Sequence, residues 1–573
     1  MANARKAPTE TSPLLSKNGP GPQSPTRSVD PAANNSPGAV GPEASPLSHD
    51  ESLEEQNSAA CNGESDVQFE GMPEVKRQMI YLFPALGIGV LLAAADMTII
   101  VSSYGKIGSE LDALNSTSWI ATAYFLTMTS FQPLYGKLSD IFGRKLCLLF
   151  AYVIFGLGCL FCGLAQDMNQ LILSRAFAGI GGGGMTTVVS ILLSDIVSLR
   201  ERGKWQGYIN IIYATGAGIG APLGGVLADS IGWRFAFYGQ APLCLLAFIT
   251  VGLVLKLPKQ DNIHWKEKLH RIDFLGAVAL LLSVVSLLIG LDRGSNVSWS
   301  DKYTVIAMCT SVPLIIIFIL IELYVAAEPF APGHIIFERT LFAAYLCNFF
   351  AFAGWLAAIF YVSLYFQAVY DLSATQAGIR LIPSIICGVS GSLASGFYMQ
   401  KTGRYYWITV ICYSTLVLGM LDIILFSGLA VSYVPGVIFG TMICAFSNGT
   451  GVTTSLIALI SNAAREDQAI ATACSYLFRS LGSAMGVSLC ATAANQALRA
   501  NLRAKLGNGD DADRIAEKVR QSLEFIKTLE PEMRSIVRDC YAQGTRAAFG
   551  VGIVLVAGSA VSAWFIKEKR LGR

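Results

Sequence analysis

Asp96 stands in an apolar run with no other charge between residues 79 and 105. A carboxylate so placed can hold a proton or a cation, or it can be the buried partner of an arginine. Two arginines, Arg175 and Arg479, lie in similar surroundings. Either could neutralise Asp96, and Arg479 could instead anchor the carboxylate of a small molecule. Asp422 and Arg380 sit near the ends of their runs, and Asp422 reads as interfacial. Polar and aromatic side chains within the runs could complete a pocket; Asn348, Trp355 and Asn448 are the ones expected to line it. The histidines (His49, His264, His270 and His334) fall outside the runs, so a proton crossing the membrane would ride on a carboxylate. Cys159-x-x-Cys162 lies within an apolar run without zinc partners and reads as packing. Gly216-x-Gly218-x-x-Ala221 lacks the preceding strand that a dinucleotide fingerprint needs. No enzyme, cofactor, metal or nucleic-acid partner is expected.

The elements that must position these groups are membrane helices. Of the 573 residues, 53% are hydrophobic and only 14% charged, against roughly 25% charged in a typical soluble protein. So few charges cannot cover a large soluble surface. The apolar residues recur in runs of about 20, enough to cross a bilayer as a helix, and they lack the alternation of barrel strands. Fourteen spans are expected between residues 79 and 566, making an all-α membrane protein. Residues 1–75 differ: they hold 10 of the 21 prolines and cannot bury a core, so a disordered tail is expected. Within it, Glu10-Thr11-Ser12-Pro13-Leu14-Leu15 matches the acidic dileucine pattern read by adaptors that sort proteins to vacuoles and lysosomes.

Lys and Arg in short loops set orientation. One set of loops carries Lys137, Arg144, Lys145, Arg200, Arg202 and Lys204, with more basic residues in the 256–272 linker and the 567–573 tail. The opposite short loops hold only Lys106, Arg234, Arg293 and Lys302. The first set and both termini are therefore expected in the cytosol. The sequons at Asn115 and Asn296 then face the other side as glycosylation acceptors, whereas Asn448-Gly449-Thr450 lies inside a span. The long loop at 495–543 also lies on that side. Its Ile515, Val519, Leu523 and Ile526 recur at helical spacing, predicting a surface helix.

An internal repeat gives the architecture. Gly136, Gly143 and Arg144 recur as Gly396, Gly403 and Arg404, and Arg200-Glu201 recurs as Arg465-Glu466. Two homologous halves related by an axis along the membrane normal are expected. They occupy residues 79–255 and 341–566, with two extra helices at 273–324 between them.

Gly136-x3-Asp140-x2-Gly143-Arg144-Lys145 resembles the cytosolic loop motif of the major facilitator superfamily. In that family the aspartate and arginine join helix ends and hold the outward-open state. The second copy has Gln400 in place of Asp140, so a weaker charge latch is expected there. The fourteen-span layout and Asp96-Met97-Thr98-Ile99-Ile100 resemble the fourteen-helix drug:proton antiporter branch. Gly216, Gly220, Pro222, Gly224 and Gly225 resemble its antiporter motif, with Ala221 displacing the proline by one position. Arg175 resembles the family's fourth-helix arginine, which is linked to proton coupling.

Together with the dileucine string, these features resemble fungal vacuolar basic amino acid transporters. The resemblance implies a monomeric proton-coupled antiporter in the vacuolar membrane, with protons and a small cationic substrate as its partners. Asp96 would take the cation or proton and an arginine the carboxylate. A plasma-membrane multidrug exporter and a non-transporting nutrient receptor are the alternatives. A large apolar cavity would favour the exporter, and a small charged one an amino acid.

Overall fold

The computed structural model describes residues 79–571 apart from 101–102, 104–106, 109, 112–117, 258–272, 297, 327–332, 373, 507–525 and 527–528. The tail with Glu10, Leu14 and Leu15, the sequon at Asn115 and most of the 256–272 linker lie outside the described residues, as do Ile515, Val519 and Leu523.

The described residues form fourteen long helices. The first half contains α1 (Met79–Ile99), α2 (Ser118–Phe142), α3 (Arg144–Leu164), α4 (Met168–Ile196), α5 (Leu199–Ser230) and α6 (Gln240–Val254). The intervening pair is α7 (Phe274–Asn296) and α8 (Lys302–Tyr324). The second half contains α9 (Arg339–Tyr370), α10 (Ala374–Thr402), α11 (Tyr406–Phe426), α12 (Val434–Asn462), α13 (Gln468–Leu506) and α14 (Pro531–Ala563). Thirteen of these helical stretches are long and apolar enough to span a membrane on composition alone. The exception is α2, whose Thr122, Thr129 and Gln132 turn toward a cavity described below.

Local chemistry sets the helix ends. The Asp167 carboxylate accepts the Gln170 N–H at 2.8 Å and starts α4, and Asp301 does the same for α8. Such caps satisfy N–H groups that the helix leaves unpaired. Gly143 breaks α2 from α3 at φ 94°, and its repeat Gly403 breaks α10 from α11 at φ 69°. Both values lie where glycine pays no Cβ penalty, so the sequence repeat is also a backbone repeat.

Two large apolar cores correspond to the two halves, one built from residues 79–257 and the other from 343–571. Glycines bring helices together within them. A Cβ on Gly224 would sit 1.9 Å from the Ile99 carbonyl oxygen, and one on Gly216 2.5 Å from that of Leu91, so α5 lies directly on α1. Close approach through small residues is how membrane helices gain packing energy. We expect Gly224→Ala to cost about 1–3 kcal/mol through forced displacement of the α1 backbone. The yield of folded protein in detergent and its thermal midpoint should fall; an unchanged midpoint would contradict the contact.

The helices α13 and α14 extend well past the expected spans of 470–494 and 544–566. Their overhanging turns pack together through Leu498, Leu502, Val537 and Cys540, and Ile526 is buried in the same cluster. The 495–543 loop therefore holds helix at both ends as continuations of spans. Apolar residues on the overhangs find partners in each other, which periodicity within the loop alone did not reveal.

Candidate functional site

Two ends of the bundle must be distinguished: the motif face, with Gly143 and Gly403, and the far face, with the 427–432 turn. At the motif face the halves meet. The Arg200 guanidinium donates to the carbonyl oxygens of Gln400 at 2.5 Å and Lys401 at 3.2 Å. Arg202 donates to the Gln468 side chain at 3.1 Å. A Cβ on Gly136 would lie 2.5 Å from that of Ala473, so α2 is pressed onto α13. One layer deeper, Asn210 donates to Ser392 at 2.8 Å, and Ser392 pairs with Thr453 at 2.6 Å. This polar chain links α5, α10 and α12 across the two halves.

Above that floor lies a cavity of about 750 Å³. Its walls run from Gln132 and Asn210 in mid-bundle to Asp292, Asn495 and Tyr541 toward the far face. The motif face is thus closed and the cavity extends to the other end. Lining groups are mixed: Phe125, Phe352 and Phe360 on the apolar side, Thr129, Ser480 and Ser488 on the polar side. Among the described residues two charges line it, Arg479 on α13 and Asp292 on α7. The Arg479 guanidinium packs over the rings of Phe352 (4.3 Å) and Tyr476 (5.0 Å), contacts that hold a cation without neutralising it. Thr122 donates to Asp292 at 3.4 Å.

Asp96 is elsewhere. Its carboxylate is wholly buried and accepts Arg175 Nη1 at 2.5 Å and Gln240 Nε2 at 3.1 Å. Arg175, 1% exposed, also donates to the Ile120 carbonyl oxygen at 3.2 Å and lies over the Tyr124 ring at 4.4 Å. The buried pair is thus surrounded by further partners, the condition under which a buried ion pair is tolerated. It forms a knot between α1, α4 and α6 in the first half. The structure brings Asp96 to Arg175, while Arg479 faces the cavity in the second half.

The remaining candidates are also placed. Asn348 donates to the Ala344 carbonyl oxygen and Ser475, and accepts from Ser455, inside the second half. Trp355 is packed in the second core. Asn448 is 7% exposed on α12, and its Oδ1 has no partner among the described residues. None of the three lines the cavity. Asn296 ends α7.

In the loop motif, Arg144 pairs with Asp140 and, at 2.8 Å, with Asp195 on α4, while Lys145 donates to the Gly252 carbonyl oxygen at 2.7 Å. One arginine thereby ties the α2–α3 turn to the end of α4. In the second copy Arg404 is exposed, and the end of α10 is held by Arg200 reaching across from the first half. Gly220, like Gly216 and Gly224, faces α1, whereas Pro222 is exposed and Gly225 half-buried on α5.

The apolar run at 273–291 predicts a span that ends one residue before Asp292, which then reads as a loop acid beside Arg293. The usable signal was that α2, α7 and α13 all carry polar residues at helical spacing.

Two helical halves around a cavity closed at one end define a secondary membrane transporter. The sequence profile of the Major Facilitator Superfamily matches residues 86–487, and the chain belongs to that family. It is 38% identical to the vacuolar membrane amino acid uptake transporter fnx2 of Schizosaccharomyces pombe, over 86% of this chain and 84% of that one. It is 37% identical to the multidrug resistance protein fnx1 of the same organism, over 85% and 93%. It is 32% identical to the vacuolar basic amino acid transporter 2 of Saccharomyces cerevisiae, over 76% and 94%. Among solved structures, the proton:xylose symporter XylE shares the fold, with TM-score 0.55 and 14% identity over 87% of this chain and 98% of that one.

Proposed function

We propose that this transporter is a proton-coupled antiporter that moves basic amino acids from the cytosol into the vacuole. The observation that carries the reading is a cavity with an arginine and an aspartate on its walls, a charge pattern that suits a substrate bearing a carboxylate at one end and a cation at the other. The name of the basic amino acid transporter supports the same substrate class, and that of fnx2 supports amino acids in general. The basic loops make the motif face cytosolic, so the cavity extends toward the lumen. Asp96 is the proton site. Protonation would release Arg175, and the loss of that tie would loosen the first half. A lumen about two pH units more acidic supplies roughly 2.7 kcal/mol per proton. One-for-one exchange then sustains about a hundredfold gradient.

The multidrug reading keeps one specific support: the cavity volume exceeds a single amino acid, and its phenylalanines suit aromatic cations. The fnx1 relative has a matching name. Uptake of a labelled amino acid panel into isolated vacuolar vesicles decides between them. Lysine and arginine should accumulate and the accumulation should collapse with a proton uncoupler. No amino acid uptake, with uncoupler-sensitive export of lipophilic cations, would favour the rival.

Sorting gives a separate expectation. Changing Leu14 and Leu15 to alanine should move a fluorescent fusion from the vacuolar to the plasma membrane. An unchanged vacuolar rim would discard the dileucine signal.

A further inference from the structure

We infer that the inserted helix α7 supplies the substrate's cation site, Asp292, and that Asp292 and Arg479 hold the two ends of an extended basic amino acid. This rests on the basic amino acid reading above and assigns its specificity to a helix lying outside the two repeated halves.

The helix is built into the cavity wall. Leu280, Val284 and Leu288 of α7 pack with Leu134 of α2 and with Leu477 and Leu481 of α13. Ser488 on α13 donates to the Leu291 carbonyl oxygen at 2.9 Å. Trp299, in the turn after α7, donates to Thr492 at 2.7 Å. These contacts fix the level of Asp292 on α13: it stands beside Ser488.

Arg479 lies nine residues earlier on the same helix. At about 1.5 Å per residue, the rise between the two levels is about 13 Å. The aromatic seat of Arg479 holds its charge in place. Extended lysine measures roughly 7 Å from carboxylate to ammonium, being six bonds of about 1.5 Å in zigzag. With polar contacts of about 3 Å at each end its reach is of the same order as the rise between the two levels. Arg479 would take the carboxylate with its forked donors, and Asp292 the side-chain cation near the cavity mouth. Between them the wall offers Ser480, Ser483 and the apolar Ala484 and Val487, surfaces suited to an aliphatic stem.

The test is uptake into vesicles holding wild-type protein, Asp292→Asn, Asp292→Glu or Arg479→Gln, with lysine and its uncharged analogue norleucine as competitors. Asp292→Asn should raise the KM for lysine tenfold or more with little change in kcat, and should erase lysine's advantage over norleucine as a competitor. Asp292→Glu should restore most of that advantage, which a merely structural loss would not allow. Arg479→Gln should weaken both competitors alike. An unchanged lysine KM and an unchanged lysine-to-norleucine ratio in folded Asp292→Asn would overturn the assignment while leaving the transporter reading intact. Wild-type protein that moves no lysine would sink the reading itself, and the assignment with it.

Discussion

Arg175→Leu is expected to destabilise the folded protein by about 3–5 kcal/mol, because it strands the Asp96 carboxylate without a counter-charge. Asp96 is fully buried, and its other side-chain donor is the neutral amide of Gln240. Asp96→Asn removes the opposite charge and should also cost stability, leaving a guanidinium surrounded by Tyr124, Phe237 and the carbonyl oxygens of Ile120 and residue 96. The informative variant is the double one, with leucine at both positions. With both charges gone, the apolar packing of α1, α4 and α6 should regain most of the lost thermal midpoint, since hydrophobic replacements of buried pairs are often neutral. Proton-driven lysine uptake should not return. Restored midpoint with absent uptake makes the pair functional; restored uptake in the double variant would reduce the pair to architecture.

The second large effect is on the loop latch. Arg144 joins Asp140 and Asp195, with the three side chains 17–27% exposed. Hydrogen bonds to charged groups contribute about 1.5–3 kcal/mol each when buried. Partial exposure reduces this, so Arg144→Ala should shift the balance between motif-face-closed and motif-face-open forms by about 1–3 kcal/mol, or 5–150-fold. A cysteine introduced at Gly396, which is packed against Gly203 in the closed form, would report the shift only if the strained contact were tolerated. Lys401, exposed at the end of α10, is the safer companion site. Labelling by a membrane-impermeant thiol reagent at the motif face should speed up in Arg144→Ala at a cysteine placed at Ser392, itself the α10 end of the Asn210 link and so compared in the same cysteine background with and without Arg144, and stay constant at one placed at Lys401. Equal rates at Ser392 with and without Arg144 would show that the latch does not govern this face.

Much of the fold was legible in the sequence because bilayer physics leaves few choices. Backbone groups in lipid must be paired within a helix, so apolar length alone located most spans. The repeated glycine–arginine turns located the halves. Two things escaped for physical reasons. The ends of α13 and α14 run beyond the membrane, where the hydropathy signal stops but helical packing continues. The partner of Asp96 lies 79 residues away in sequence, and spacing along a chain does not reveal which of two arginines stands across a helix interface. The polar cavity wall was legible only in part. Asp292 lies one residue past the expected end of its apolar run and so reads as a loop acid. Residue type alone singles out Asn348 and Trp355, and in the fold they pack within the second half.

The position of α7 also decides from where cargo can arrive. Its leucines pack into the seam between α2 and α13. On that flank, a greasy compound dissolved in the bilayer meets a plugged wall instead of a doorway.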